Sequence, residues 1–402
     1  MRSGPRTGIV LGGIAALVGV AAACQPAPPP PSVTCDAAVT PTAQSPVTYA
    51  AVLAPHDGAP HQVTAFTVTS TGAKNAKVAE LEQSSTVLAV APNQPVHVAD
   101  APIATGSYGD FSQQWGLGPA PGADFVPAWN TSGFTGHGVT VAVVDTGVDL
   151  AHSGLVGHVI AGPDFTVDSS GNTPVTGDAY GHGTHVAGIV AANDSPAGGL
   201  GGAPGATILA VRVLDASGSG SSVTVAQGVE WAAVHGAKVI NLSLGEASCD
   251  PVIGQALVDA HAEGVVVAAA AGNDDSSELF APAAYSAEDI AVAATNQSGQ
   301  KASFSNFGGY VAIAAPGQQV LSTCAFTSCI GGAPSNTAYG DLSGTSMATP
   351  FVSAAAALIK EECPSFGPDQ IKAELVNHAG AVVPGYPFRS LDAGQAVAAH
   401  CT

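Results

Sequence analysis

The sequence has little charge, and positive charge is the scarcest. Of its 402 residues, 10 are lysine or arginine against 30 aspartates and glutamates, and the net charge at pH 7 is −20. Phosphate groups and anionic lipid surfaces are bound by clustered cations. The shortage of cations therefore argues against nucleic acid and anionic membranes as partners, and the acidity is typical of a soluble surface.

Aromatic residues and long apolar runs are also scarce. Aromatic residues make up 5% of the chain, although 46% of its residues are hydrophobic. Beyond the N-terminus, the best apolar runs, 264–271 and 352–359, have the length of core elements and are too short to span a bilayer. These features predict a tightly packed globular protein.

The N-terminal segment predicts export. A short basic stretch, an apolar stretch and three alanines together predict a signal peptide over residues 1–23. Cys24 follows, so the segment resembles a bacterial lipobox, in which this cysteine carries lipid, although Ala21 stands where leucine is usual. Ordinary cleavage at the same bond is the alternative. Residues 24–46 form a proline-rich spacer, and both alternatives predict a secreted or cell-surface bacterial protein whose only route to a membrane is a lipid on Cys24.

The rest of the chain divides into a small domain, a linker and a large domain. Short strands and one helical stretch predict a small α+β domain over residues 47–99, with strands at 47–53, 62–68, 86–90 and 95–98 and a helix at 76–84. Residues 100–113 are rich in glycine, proline and serine and predict a linker.

The large domain covers residues 114–402. Here apolar runs of strand length alternate with helical segments, which predicts an α/β domain with a mostly parallel sheet covered by helices on both faces. The apolar runs are 139–144, 207–213, 239–244 and 265–270, and the helical segments include 223–235 and 253–263.

Four polar residues stand where such a sheet collects its functional groups, beyond the carboxyl ends of the strands. Asp145 and Asn273 follow predicted strands, and His182 and Ser346 open predicted helices. The motifs around them read VAVVDTGVD, GHGTHVAGIV, AAAAGN and GTSMATP. In this order they resemble the active-site blocks of the subtilase family, the subtilisin-like serine proteases. The resemblance covers roughly residues 112–380 and implies the three-layer subtilisin-like fold.

The resemblance assigns a role to each residue. Ser346 would be the nucleophile, His182 the base that takes its proton, Asp145 the group that orients the imidazole, and Asn273 a donor to the oxyanion. Each motif alone has another explanation. An isolated Asp-Thr-Gly caps a turn or forms half of an aspartic-protease pair, but the chain has no second such motif. His185 is predicted to be structural, because no His-Glu-x-x-His motif is present.

The same resemblance implies that an extended protein or peptide substrate lies between two short stretches and pairs with them as an added strand. The stretches are Ser243, Leu244 and Gly245, and Ala270, Ala271 and Gly272. Because neither contains an acidic residue, we expect an apolar or broad preference at the residue before the cut, rather than lysine or arginine.

Residues 47–99 resemble, more weakly, the inhibitor-like propeptide of secreted subtilases. This implies that the small domain assists folding, blocks the active site as an intramolecular inhibitor and is cut off in the region 100–113. An accessory domain that stays attached is the alternative.

The chain departs from the family pattern in two places. Phe351 and Ser353 stand where the family usually has histidine and alanine, and the family's His-Pro-Asp-Leu is His-Ser-Gly-Leu at 152–155. The second change removes an acid near which the family binds calcium. We expect no cofactor for the chemistry, and a structural Ca²⁺ stays an expectation with unknown ligands.

Seven cysteines in an exported protein predict disulfides. The predicted pairs are Cys324 with Cys329 and Cys363 with Cys401. If Cys24 is lipidated, Cys35 and Cys249 remain: either one cysteine stays free, or Cys35 bridges to the large domain.

The sequence as a whole predicts an exported, monomeric serine endopeptidase. The rival hypothesis is a non-catalytic cell-surface protein that keeps the fold for binding. A lapsed active site has no reason to keep Asp145, His182, Asn273 and Ser346 together, so we favour the enzyme.

Overall fold

The computed structural model describes residues 41, 45–56, 59–98, 114–194, 199–247, 249–325 and 337–398. The predicted signal peptide, the linker 100–113 and four cysteines (Cys24, Cys35, Cys329 and Cys401) lie outside these residues, so the lipid anchor and the disulfide pairings stay predictions. Among the described residues, no helix combines the length and the apolar character needed to cross a membrane.

The small domain contains three strands of an antiparallel sheet, in the order β2-β1-β3, one helix and a separate fourth strand. These elements are β1 (Val47–Pro55), β2 (Gln62–Val68), α1 (Thr71–Leu81), β3 (Ser85–Pro92) and β4 (Pro95–Val98). The helix begins before the predicted 76–84 because Ser70 caps it, its hydroxyl oxygen accepting the Ala73 N–H at 3.1 Å.

The large domain alternates strands and helices along its length. Its strands are β5 (Thr140–Asp145), β6 (Val159–Asp164), β7 (Asn193–Asp194), β8 (Gly199–Leu200), β9 (Thr207–Arg212), β10 (Ser219–Ser221), β11 (Val239–Leu242), β12 (Leu244–Gly245), β13 (Val266–Ala270), β14 (Ile290–Thr295), β15 (Ile313–Pro316), β16 (Val320–Cys324) and β17 (Ala338–Leu342). Its helices are α2 (Phe125–Pro127), α3 (His182–Ala191), α4 (Ser222–Val234), α5 (Pro251–Ala262), α6 (Thr345–Glu362), α7 (Pro368–Asn377) and α8 (Ala393–Ala398). Short helical turns lie at Trp115–Leu117 and Ala128–Ser132.

Seven strands form one parallel sheet in the order β15-β14-β13-β11-β5-β9-β6. Successive residues of a strand point to opposite faces. In β5, Val141 and Val143 belong to the core that contains α3, α6 and α7, whereas Ala142 and Val144 belong to the core that contains α4 and α5. Both faces are therefore buried, which explains why most positions of β5 are apolar, without the alternation of a half-exposed strand. This is the three-layer α/β arrangement that the sequence predicts.

The predicted strand 239–244 is divided in the structure. Residues 239–242 belong to the parallel sheet as β11, and Leu244 and Gly245 form β12, which pairs outside that sheet. Ser243 separates the two strands, and its carbonyl oxygen accepts a hydrogen bond from Ser346 Oγ at 3.0 Å. The chain leaves the sheet at this point because Ser243 turns toward helix α6.

The small domain contacts the large domain in two places. Its sheet packs on helices α4 and α5, where Ala50 and Val52 are buried in the same core as Val225 and Leu257. Strand β4 lies apart from that sheet and pairs antiparallel with β10 on one side and β12 on the other.

A group of ionisable side chains lies at the first of these contacts. His61 Nδ1 is 2.5 Å from Asp259 Oδ2, and potential ligand atoms of His61, Glu230 and Asp259 all lie within 4.8 Å of one another. Burial, a hydrogen bond to Asp259, and the negative charges of Asp259 and Glu263 raise the pKa of Glu230 to about 9. The Glu230 carboxyl group is therefore protonated at neutral pH.

Replacing Glu230 by glutamine is expected to flatten the pH dependence of stability between about pH 4.5 and pH 9. Because the pKa of Glu230 in the folded protein lies above its usual 4.5, the folded protein holds a proton that the unfolded chain releases. Stability therefore falls as the pH rises through this window. The measurement is the thermal unfolding midpoint of the full chain across this pH range, in a Ser346→Ala background, which we expect to keep the small domain attached.

The exposed Glu278, whose replacement by glutamine leaves this contact intact, supplies the control variant. Parallel stability profiles for Glu230→Gln and the parent chain would contradict the protonated state of Glu230.

Candidate active site

The predicted site residues lie at the carboxyl edge of the parallel sheet. Asp145 is the last residue of β5, and Asn273 comes three residues after β13. His182 is the first residue of α3, and Ser346 is the second residue of α6. Asp145, His182 and Ser346 are at most 1% exposed. Charge that develops on these groups is therefore poorly screened by water.

Asp145 and His182 form a direct hydrogen bond. His182 Nδ1 lies 2.7 Å from Asp145 Oδ1, and the same oxygen accepts the Thr146 N–H at 2.7 Å. A carboxylate can only accept, so Nδ1 carries the proton and Nε2 is left as the basic nitrogen. Asp145 thus sets both the tautomer and the orientation of the imidazole.

Asp178 ties the loop after β5 to the start of α3. One carboxylate oxygen of Asp178 accepts hydrogen bonds from Thr146 Oγ1 at 2.9 Å and the Gly181 N–H at 2.8 Å. The other accepts from the Thr184 N–H at 2.9 Å and Thr184 Oγ1 at 2.7 Å. Burial raises the pKa of Asp178, and these hydrogen bonds oppose the rise. Asp178 was not predicted from the sequence, where its one signal is its place four residues before His182.

Gly183 permits the close approach between these two segments. A Cβ atom at this position would stand 2.1 Å from the Gly147 carbonyl oxygen and 3.1 Å from Asp145 Cβ. A larger residue would push α3 away from the end of β5. The glycine after His182 therefore keeps its imidazole within hydrogen-bonding distance of Asp145.

Asn273 is held with its amide nitrogen available. Its Oδ1 accepts hydrogen bonds from the Thr345 N–H at 2.9 Å and from Thr345 Oγ1 at 3.1 Å. Its Nδ2 is buried and has no hydrogen-bond partner among the described residues. Because Thr345 immediately precedes Ser346, this donor is fixed beside the serine, as an oxyanion-binding group requires.

Ser346 lies at the N-terminus of a helix that is buried from Thr345 to Ile359. The partial positive charge of the helix terminus favours negative charge beside this serine. The helix begins at Thr345, so Pro350 lies one turn further in and removes the N–H that would bond to the Ser346 carbonyl oxygen.

Ser243 supplies the missing donor. Its hydroxyl donates to the Ser346 carbonyl oxygen at 2.8 Å and accepts from Asn241 Nδ2 at 2.9 Å. Asn241 Oδ1 in turn accepts from Ser353 Oγ at 2.8 Å, and all four residues are fully buried. Ser353, one of the departures from the family pattern, therefore orients the Asn241 amide and, through it, the contact of Ser243 to the Ser346 backbone.

The two predicted substrate stretches flank this site. Leu244 and Gly245 form β12, which pairs with β4 of the small domain. At the other stretch, the Ala271 N–H donates to the Val292 carbonyl oxygen at 3.0 Å, and the Gly272 N–H donates to Thr345 Oγ1 at 3.1 Å. The second partner of β4 is β10, which the sequence analysis missed because its small polar residues resemble those of a loop.

His185 has the structural role that the sequence predicts. Its Nε2 lies 2.9 Å from the Gly340 carbonyl oxygen, and its own carbonyl oxygen accepts from Ser322 Oγ at 2.8 Å. His61, Glu230 and Asp259 are the group of potential metal ligands found among the described residues, and they lie at the contact between the small domain and the large domain. The calcium ion stays an expectation without assigned ligands.

Comparison with known proteins identifies the family. Residues 136–396 match the model of the subtilase family, peptidase S8. The chain is 44% identical over 268 residues to Subtilisin Savinase of Lederbergia lenta, covering 67% of this chain and 91% of that protein. It is 45% identical over 256 residues to Thermitase of Thermoactinomyces vulgaris, covering 63% of this chain and 85% of that protein.

Among solved structures, a protease from Pseudoalteromonas arctica superposes with a TM-score of 0.64 at 34% identity, covering 72% of this chain and 97% of that one. A cold-adapted subtilisin-like serine proteinase superposes with a TM-score of 0.56, also at 34% identity, covering 64% and 88%. The predicted three-layer subtilisin-like fold is thereby confirmed, and the chain belongs to the subtilase family of serine proteases.

Proposed function

We propose that the protein is an exported serine endopeptidase that hydrolyses peptide bonds in proteins or peptides. The observation that carries the proposal is the buried 2.7 Å contact between His182 and Asp145 at the sheet edge where Ser346 opens helix α6. The amide of Asn273, oriented by Thr345 with its nitrogen available, supports the same chemistry. A protein that only bound its partners would have no use for this arrangement.

In the proposed acylation step, Ser346 Oγ attacks the carbonyl carbon of the substrate while its proton passes to His182 Nε2. Asp145 stabilises the imidazolium that results. Asn273 Nδ2 and the N-terminus of α6 stabilise the oxyanion. When the tetrahedral intermediate collapses, the carbon–nitrogen bond breaks and His182 gives its proton to the leaving amine. An acyl group remains on Ser346.

Hydrolysis of the acyl-enzyme repeats these steps with water. His182 Nε2 takes a proton from the water as the water oxygen attacks the acyl carbon. The second intermediate then expels Ser346 Oγ, which regains its proton from His182. The carboxylic acid product leaves, and the enzyme returns to its starting state.

We also propose that residues 47–99 act as a propeptide that inhibits the enzyme. The support is strand β4, which lies between β10 and β12 as the middle strand of a three-stranded sheet. An extended substrate would add itself to the enzyme in the same way, through backbone hydrogen bonds. The strand therefore occupies the place of a substrate, and cutting in the region 100–113 is needed to free it.

We further propose how the protein is exported and how it is stabilised after export. The signal peptide over residues 1–23 directs export, with Cys24 either lipidated as a membrane anchor or exposed by ordinary cleavage. The pairs Cys324–Cys329 and Cys363–Cys401 stabilise the secreted monomer as disulfides. A structural Ca²⁺ remains compatible with the acidic chain.

Replacing Ser346 by alanine is expected to stop self-processing. The wild-type chain should lose its N-terminal residues up to the region 100–113, whereas the variant should keep them, because it lacks the nucleophile. Intact-mass measurement and N-terminal sequencing of the exported proteins distinguish the two. The control is Ser343→Ala, which removes a neighbouring buried hydroxyl that accepts the Gln319 N–H and should leave processing intact. Processing of purified Ser346→Ala at an unchanged rate would contradict the proposal.

Loss of the oxyanion donor is expected to reduce kcat more than it changes KM. Replacement of Asn273 by leucine should lower kcat by about 10² to 10³, the range measured for this donor in a subtilisin. Replacement of Thr345 by valine removes one of the two bonds that orient Asn273 and should lower kcat about tenfold. Kinetics on a peptide substrate measure both effects, with Thr349→Val as the control because its hydroxyl bonds only within its own helix. A raised KM with unchanged kcat would contradict the role of Asn273.

A further inference from the structure

The pairing of β4 shows where the residue before the cut must lie. His97 stands opposite Gly245, and Val98 stands opposite Leu244, so β4 runs toward Ser243. The Ser243 carbonyl oxygen is in turn hydrogen-bonded to Ser346 Oγ. A substrate that follows the same path reaches the nucleophile one residue further on. The side chain of that residue would then enter the space between β12 and the stretch 270–272 at the end of β13.

The ring of Phe280 lies against both walls of this space. A Cβ atom on Gly245 would stand 2.3 Å from Phe280 Cε1, and a Cβ atom on Gly272 would stand 2.9 Å from Phe280 Cγ. Phe280 is only 9% exposed. The two glycines therefore leave room for this ring, which occupies space that a substrate side chain would otherwise use.

The backbone around Phe280 fixes the ring in this place. The next residue, Ala281, exchanges two hydrogen bonds with Glu246, the residue after Gly245, at 2.9 and 3.0 Å. The Phe280 carbonyl oxygen also accepts the Ala284 N–H at 2.9 Å. A large substrate side chain would have to displace a buried aromatic ring from a segment tied directly to the substrate-binding strand.

We propose that Phe280 determines specificity by filling the inner part of this pocket, so that the enzyme cleaves after small residues: glycine, alanine and serine. This inference rests on the proposed peptidase function and narrows its substrate class. It also narrows the apolar or broad preference that the sequence alone predicts.

The test compares two chromogenic peptides that differ only in having alanine or phenylalanine before the cut. The wild-type enzyme, matured from the full chain, should favour the alanine peptide in kcat/KM by at least about tenfold, since each misfitting group in such a pocket changes kcat/KM by roughly 10- to 200-fold. Phe280→Ala should shift the ratio of the two kcat/KM values (alanine peptide over phenylalanine peptide) about 100-fold in favour of the phenylalanine peptide. Phe280→Leu should shift the same ratio in the same direction by a smaller factor. The control is Leu279→Ala, which shortens an exposed neighbour on the same loop and should leave the ratio unchanged.

The outcomes separate the inference from the function on which it rests. A wild-type enzyme that cleaves the phenylalanine peptide at least as well as the alanine peptide would overturn the inference and leave the peptidase function standing. So would a ratio that is the same in wild type, Phe280→Ala and Phe280→Leu. A wild-type chain that cleaves neither peptide would overturn the proposed function itself. The wild-type ratio of the two kcat/KM values tests the inference by itself, even if Phe280→Ala does not fold.

Discussion

The buried hydrogen bond between Asp145 and His182 is the interaction on which the rest of the site depends. An unpaired carboxylate at this depth would be costly, and an imidazole without it would have no fixed tautomer. The fold supplies the two groups from the end of β5 and the start of α3. Asp178 and Gly183 join these segments, the first by hydrogen bonds and the second by allowing their close approach. The sheet thus provides a rigid support for the base.

Ser346, the proposed nucleophile, is held by a second and separate set of contacts. Pro350 removes one internal bond of helix α6, and Ser243 takes the vacated carbonyl oxygen of Ser346. Ser353 and Asn241 orient Ser243 through buried hydrogen bonds. Because β12 follows Ser243 directly, the contacts that place the nucleophile also place the strand to which a substrate would bind. In the proposed function, substrate and nucleophile would therefore be aligned by contacts that exist before binding, which favours reaction over mere association.

Local sequence patterns predicted the layers of the fold and the four residues of the candidate site, because apolar runs and motifs around Asp145, His182, Asn273 and Ser346 are visible in short windows. They could not predict contacts between distant segments. Strand β10 has the composition of a loop and becomes a strand only by pairing with β4. Phe280 looks like an ordinary core residue until its ring is seen against two glycines from other strands.

In the proposed function, the pairing of β4 with β12 links inhibition to catalysis, because β4 lies where a substrate strand would bind. The most direct test of the account is the rate at which the freshly refolded full chain cuts itself, measured for wild type and for Asp145→Asn. If Asp145 sets the tautomer of His182, the substitution should slow self-cleavage by about 10⁴-fold, the loss that the same change causes in another serine protease. A slowing of less than about tenfold, or a wild-type chain that stays intact, would contradict the account.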